Sequence, residues 1–148
     1  ELEHERDRLF NFLSFVPSVS LSAETGHNLG RIVHWTKVLL DELDREVPTG
    51  ELNRILEDLF RQNPPPAVQI RQSRRQKRRK ELKVLYATQT GRRPQRIRLF
   101  CNVAADHLPD PYRRFLERRL RDRLNLPHIP LVLEIKGRQK AKDLYGDK

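Results

Sequence analysis

Methionine is missing from all 148 residues, and cysteine occurs once, as Cys101. A lone thiol excludes an internal disulfide and fits a reducing cytosol. That cysteine and five scattered histidines show no metal-ligand spacing. Long apolar runs are missing as well. No stretch of about 18 apolar residues occurs, so the sequence offers no membrane span. The opening ELEHERDRLF is charged and partly acidic, unlike the apolar core of a secretory signal. The lack of methionine even at position 1 leads to the expectation that the chain is the C-terminal portion of a longer protein.

What the chain has in quantity is charge. Charged residues make up 34% and hydrophobic ones 36%, enough for one modest core or two small units. The charge is divided unevenly. Residues 1–63 hold 12 acidic and 7 basic side chains, a net of −5, whereas residues 64–148 hold 8 acidic and 23 basic, a net of +15. This asymmetry predicts two functional units, the second facing a polyanion.

Periodicity supplies the elements. Leu2, Leu9, Phe10 and Leu13 sit at roughly helical spacing among charges, and residues 1–10 read as a surface helix. Residues 16–21 read as a short buried strand with Pro17 near its start. After the loop SAETGH, Asn28 is placed to cap a helix whose apolar side is Leu29, Ile32, Val33, Leu39, Leu40 and Leu43. Helix, strand, loop and helix in that order match the end of a doubly wound α/β domain. A second helix, capped by Thr49, carries Leu52, Ile55, Leu56, Leu59 and Phe60 at i, i+3, i+4, i+7 and i+8, and Pro64–Pro66 stop it.

Residues 67–80 contain seven basic side chains between Arg71 and Lys80 and no acid, which predicts an extended or loosely ordered stretch. Two alternating runs around TGRRPQ then read as an antiparallel pair. One puts Leu82, Val84 and Tyr86 on its apolar side, the other Ile97, Leu99 and Cys101. Tyr86 and Phe100 are able to stack on bases, with core packing the preferred reading of each, and Cys101 is read as a small core side chain rather than a nucleophile. A helix after the cap pair Asp110–Pro111 and a last strand with Leu131, Leu133 and Ile135 inward complete an α-β-β-α-β unit. The fold class is therefore α+β, with three strands and two helices on one side.

That unit resembles a KH-like domain. The words PTGELNRILEDLFRQNPPP, LKVLYATQTGRRPQRIRLFCN, YRRFLERRLRDRL and IPLVLEIKGR, in that order, are similar to the C-terminal domain of the Der (EngA) family. These are bacterial tandem GTPases of large ribosomal subunit assembly. The resemblance extends to residues 1–46, which look like the end of the family's second GTPase domain. It implies three parts: a GTPase remnant at 1–46, a KH-like domain at 47–136 and a basic flexible tail at 137–148.

The resemblance also implies roles. Ser22, Ala23 and Glu24 correspond to the family's last guanine-contacting loop, where a small residue lets backbone N–H groups approach the base. The chain carries no G-x-x-x-x-G-K-[ST] phosphate loop and no Asn-Lys-x-Asp, so it is expected neither to bind nor to hydrolyse GTP by itself. No catalytic residue and no metal site is assigned, and GTP and Mg²⁺ are implied only for the intact parent. No Gly-x-x-Gly clamp of the usual KH type is present. RNA contact is instead expected from Arg74, Arg75, Lys77, Arg78, Arg79 and Lys80, with Arg92, Arg93, Arg96 and Arg98 as a second patch. The implied partners are ribosomal RNA or the large subunit and the parent's upstream GTPase domains, in the cytoplasm and away from membranes. The alternative is a structural module that arranges GTPase domains without touching RNA.

Overall fold

The structure is a computed structural model that describes residues 5, 8–10, 13–71, 77–104 and 107–137, with backbone alone at 70, 71, 77 and 78. Helix α1 (Leu29–Asp44) leads into α2 (Thr49–Gln62), a hairpin of β1 (Ala67–Arg71) and β2 (Lys77–Glu81), then β3 (Val84–Arg92), β4 (Gln95–Cys101), α3 (Asp110–Arg123) and β5 (Leu131–Gly137). The main sheet has the order β3-β4-β5, with β3 and β4 antiparallel and β4 and β5 parallel. A parallel pair needs a crossover, and α3 supplies it. Helices α2 and α3 pack on each other and on β3 and β5 respectively. The core is the expected one: Leu52, Ile55, Leu56 and Leu59 from α2, Leu116 and Leu120 from α3, and Ile97, Leu99, Cys101, Leu131 and Leu133 from the sheet. Burial pushes the Cys101 thiol up to about 11, as for a structural rather than a reactive cysteine.

Several sequence expectations meet a different structure. Residues 16–21 form no strand, because a strand needs a neighbour for its ladder and no other described segment pairs with it. Of the expected first helix, Glu5, Arg8 and Leu9 are helical, and the remainder of it apart from Phe10 lies outside the described residues. Asn28 does not cap α1: it is left-handed at φ 62°, and its amide donates to the Ser20 carbonyl at 2.9 Å. Thr49 and Asp110 fall inside their helices, where the carbonyls of Pro48 and Pro109 accept the first helical bonds and no side chain caps. Where it is described, the basic stretch takes the extended alternative and is not loose. Ala67 to Arg71 pairs in register with Glu81 to Lys77, anchored by buried Val68 and Leu82.

The last correction concerns β3. A register shift between Val84 and Tyr86 breaks the alternation. Ala87, not Tyr86, then faces the helices, and Leu85 and Tyr86 are both exposed. Asn53 of α2 completes the edge of β3 at that point. Its amide donates to the Ala87 carbonyl at 2.9 Å and its oxygen accepts from the Ala87 N–H at 2.8 Å, so the edge backbone is satisfied where α2 crosses it.

Helix α1 is docked mainly by its C-terminal half. Leu39 and Leu43 join the core, whereas Leu29, Ile32, Val33 and Leu40 are exposed. The carbonyls at the end of a helix have no intrahelical donor. Here Gln95, 1% exposed at the start of β4, donates its amide to the carbonyls of Glu42 (2.9 Å), Leu43 (3.1 Å) and Arg45 (3.1 Å). Gln89 braces it, donating to Gln95 Oε1 and to the Arg45 carbonyl while accepting from the Val47 N–H at 2.9 Å. Glu42, also buried, accepts from the His128 N–H at 3.0 Å and meets His128 Nδ1 at 2.6 Å. The Trp35 ring stands edge-on to His128, 5.0 Å between centroids.

Candidate nucleic-acid interface

The predicted site residues fall into four places. Ser22, Ala23 and Glu24 lie in a turn ahead of α1. Ser22 N–H donates to the His27 carbonyl at 3.3 Å, and Ser22 Oγ accepts from the Thr25 N–H at 3.3 Å. Gly26, at φ 72°, takes the left-handed conformation that closes the turn. Ala23 and Glu24 are exposed at its tip.

The basic arm is the second place. Lys77, Arg78, Arg79 and Lys80 follow one another along β2, opposite Arg71, Ile70, Gln69 and Val68. Arg79 is exposed, and Lys80 is half-buried at the base of the arm with Nζ donating to the Asn102 carbonyl at 2.9 Å. Asn102 fixes the arm to the sheet: its amide donates to the Glu81 carbonyl and its oxygen accepts from the Lys83 N–H, each at 2.9 Å. Arg74 and Arg75 lie outside the described residues.

The second arginine patch is divided by the fold. Arg92 and Arg93 turn toward the end of α1. Arg92 meets Glu46 at 2.8 Å, and Arg93 grips Asp44 through two nitrogens, Nε at 2.7 Å. The Arg93 guanidinium holds the Asp44 carboxyl below the usual carboxylate range. Arg96 and Arg98 face the other way, onto the side of the sheet opposite the helices. There Arg98 bonds Glu134 at 3.0 and 2.7 Å and Arg96 reaches it at 3.5 Å, so the Glu134 carboxyl is also depressed, chiefly by Arg98. The four arginines therefore do not form one patch. One pair docks a helix and the other borders an open sheet face.

That open face carries two residues read as core from the sequence. Tyr86 and Phe100 are cross-strand partners, and their rings stack at 4.2 Å between centroids and 12° between planes. Phe100 is half-buried and Tyr86 is 49% exposed. The alternation of β4 contained the signal: if Ile97, Leu99 and Cys101 face inward, Phe100 faces out with Arg96 and Arg98. The same alternation placed Gln95 on the buried side. Elsewhere, a groove between the N-terminal segment and α3 is lined by Phe15, Phe115, Arg114, Arg118 and Arg121, with the Arg121 guanidinium 4.0 Å above the Phe15 ring.

Two helices on one face of a three-stranded mixed sheet, with a basic hairpin at one end, define an α+β module of the KH-like class. Residues 46–136 match the family described as the KH-domain-like region, C-terminal, of EngA bacterial GTPase enzymes. The chain belongs to that family. It is 35% identical over 139 residues to the GTPase Der of Syntrophobacter fumaroxidans, covering 93% of this chain and 28% of that protein. The GTPase Der of Bradyrhizobium sp. is 35% identical over 140 residues, and that of Mycobacterium avium 34% over 139, covering 95% and 94% of this chain. The chain spans 28% and 27% of those two proteins, so the matches cover little more than a quarter of each relative.

Proposed function

We propose that this chain is the RNA-contacting C-terminal portion of an EngA-type GTP-binding protein acting in large ribosomal subunit biogenesis in the cytoplasm. GTP and Mg²⁺ belong, on this reading, to parts of the parent outside these residues, with Ser22, Ala23 and Glu24 as a contribution to the guanine end of that site. The observation that carries the reading is the basic hairpin, which sets Lys77, Arg78, Arg79 and Lys80 in succession on one short strand beside a sheet. Phosphate neutralisation requires charge in reach of a polyanion and little else in geometry.

The rival role, a module that arranges the neighbouring domains, is favoured for one part of the surface. Arg92, Arg93, Gln89 and Gln95 are engaged with the end of α1. We assign those four to docking and the arm, with Arg96 and Arg98, to RNA.

A salt titration tests the arm. Binding of the chain to a ribosomal RNA fragment is expected to weaken steeply with salt, by a slope of about −0.7 for each phosphate contacted on a single strand. Lys80 is held at the base of the arm, so the informative variant is Lys77→Gln, Arg78→Gln, Arg79→Gln. Its slope should be shallower by about 2 if all three engage, with an unchanged circular dichroism spectrum. An unchanged slope would assign the arm to solvent and leave the arranging role in its place.

A further inference from the structure

Resting on the RNA-facing reading above, we propose that the exposed face of Tyr86 is a stacking site for one unpaired base of single-stranded RNA. The site lies on the open side of the sheet and is separate from the arm's phosphate contacts.

The geometry is that of an unfinished stack. Among the described residues β3 is the edge of the main sheet, and Tyr86 has a neighbouring strand on one side only. On that side it lies nearly parallel to Phe100, 4.2 Å between centroids. Tyr86 as a whole is 49% exposed. The register shift before Tyr86 also leaves Leu85 exposed beside it. A planar ring laid on the free face of Tyr86 would extend the Phe100–Tyr86 pair by one layer. Every base has such a π-face, so this contact does not require a particular sequence.

The charges nearby select a nucleic acid over an apolar protein segment. Across the same face, cross-strand pairing sets Lys136 beside Phe100, Glu134 beside Arg98, and Arg98 beside Thr88, which follows Tyr86 by two. Among the described residues of these strands, Arg96, Arg98 and Lys136 stand against the one carboxylate of Glu134 on this face, leaving it positive. Lys136 is exposed. A base on Tyr86 would carry its own phosphates over these side chains. An apolar docking partner would have to desolvate them. A duplex keeps its bases stacked inside, so the occupant is a single strand or a loop.

The test is fluorescence anisotropy of a labelled single-stranded oligonucleotide of mixed sequence, and of the same strand annealed to its complement. The proteins are wild type, Tyr86→Ala, Tyr86→Phe and the arm variant. Loss of one base stack should weaken single-strand binding of Tyr86→Ala by about 5- to 100-fold, whereas Tyr86→Phe stays near wild type. Because stacking releases no counterions, the salt slope of Tyr86→Ala should equal that of wild type, and its duplex binding should be unchanged. In wild type, the Tyr86 ring protons should move upfield when the single strand is added, a readout that needs no substitution. Equal single-strand affinities for Tyr86→Ala and wild type, or an equal loss on duplex, would overturn the proposal, as would Tyr86 ring resonances that stay in place. Those results would leave the arm's salt dependence intact. A wild-type chain without salt-dependent RNA binding would instead overturn the RNA-facing reading as a whole.

Discussion

Replacing Gln95 by leucine is expected to lower the stability of the fold by about 2 to 3 kcal/mol, the cost of leaving buried polar groups without partners. Gln95 is 1% exposed and its amide reaches three carbonyls at the end of α1; leucine removes this donor from the Leu43 carbonyl and the Oε1 acceptor from the Gln89 amide, while the Arg45 carbonyl keeps Gln89 and the Glu42 carbonyl keeps the Arg45 N–H. Leucine has comparable size, so the loss should reflect hydrogen bonding more than a cavity. Urea unfolding followed by circular dichroism reads the effect as a lower midpoint with an unaltered slope. Gln89 shares the network through Gln95 Oε1. A double-mutant cycle with Gln89→Ala should therefore show coupling of about 0.5 kcal/mol or more. A Gln95→Leu midpoint equal to wild type would mean that α1 is held without Gln95, by Leu39, Leu43, the Glu42–His128 contact and the contacts of Gln89, Arg92 and Arg93.

Gly137→Ala should be comparably damaging for a different reason. Gly137 ends β5, paired with Cys101 at the end of β4. A methyl group there would stand 2.5 Å from the Ala104 Cα and 2.8 Å from the Ala104 nitrogen, and closer still to the Val103 carbonyl oxygen. These are backbone atoms, which cannot swing aside as the end of a side chain can. Overpacking of this kind costs about 1 to 3 kcal/mol and displaces the segment it meets. Thermal unfolding should show a clear drop for Gly137→Ala and little change for Lys136→Ala, the exposed neighbour. A Gly137→Ala protein as stable as wild type would show that residues 103 and 104 yield without cost.

The KH-like unit was legible in the sequence because its signals are periodic. The i, i+3, i+4 pattern from Leu52 to Leu59 and the alternation of Ile97, Leu99 and Cys101 each select one face, and those faces form the core. The sequence pattern puts Tyr86 on the wrong side because a single register shift exchanges the two sides of a strand, and nothing local marks it. The strand at 16–21 was misread because its apolar residues suit a strand, whereas a strand also needs a paired neighbour. The β1–β2 pairing was hidden behind charge repulsion, which Val68 and Leu82 overcome at its base. The division of the arginine patch had no sequence signature. Arg92 and Arg93 find their carboxylates at Glu46 and Asp44, nearly fifty residues earlier, and only the fold brings them together.

Backbone amide resonances of the ¹⁵N-labelled chain, followed during titration with a single-stranded ribosomal RNA fragment at low salt, test the central claim most directly. The largest movements are expected along β2, from Lys77 to Glu81, and around Tyr86, Phe100 and Lys136. The amides of Ser22, Ala23 and Glu24 should stay in place. Movements confined to residues 22–44, or to the outer faces of α2 and α3 with β2 unmoved, would contradict it.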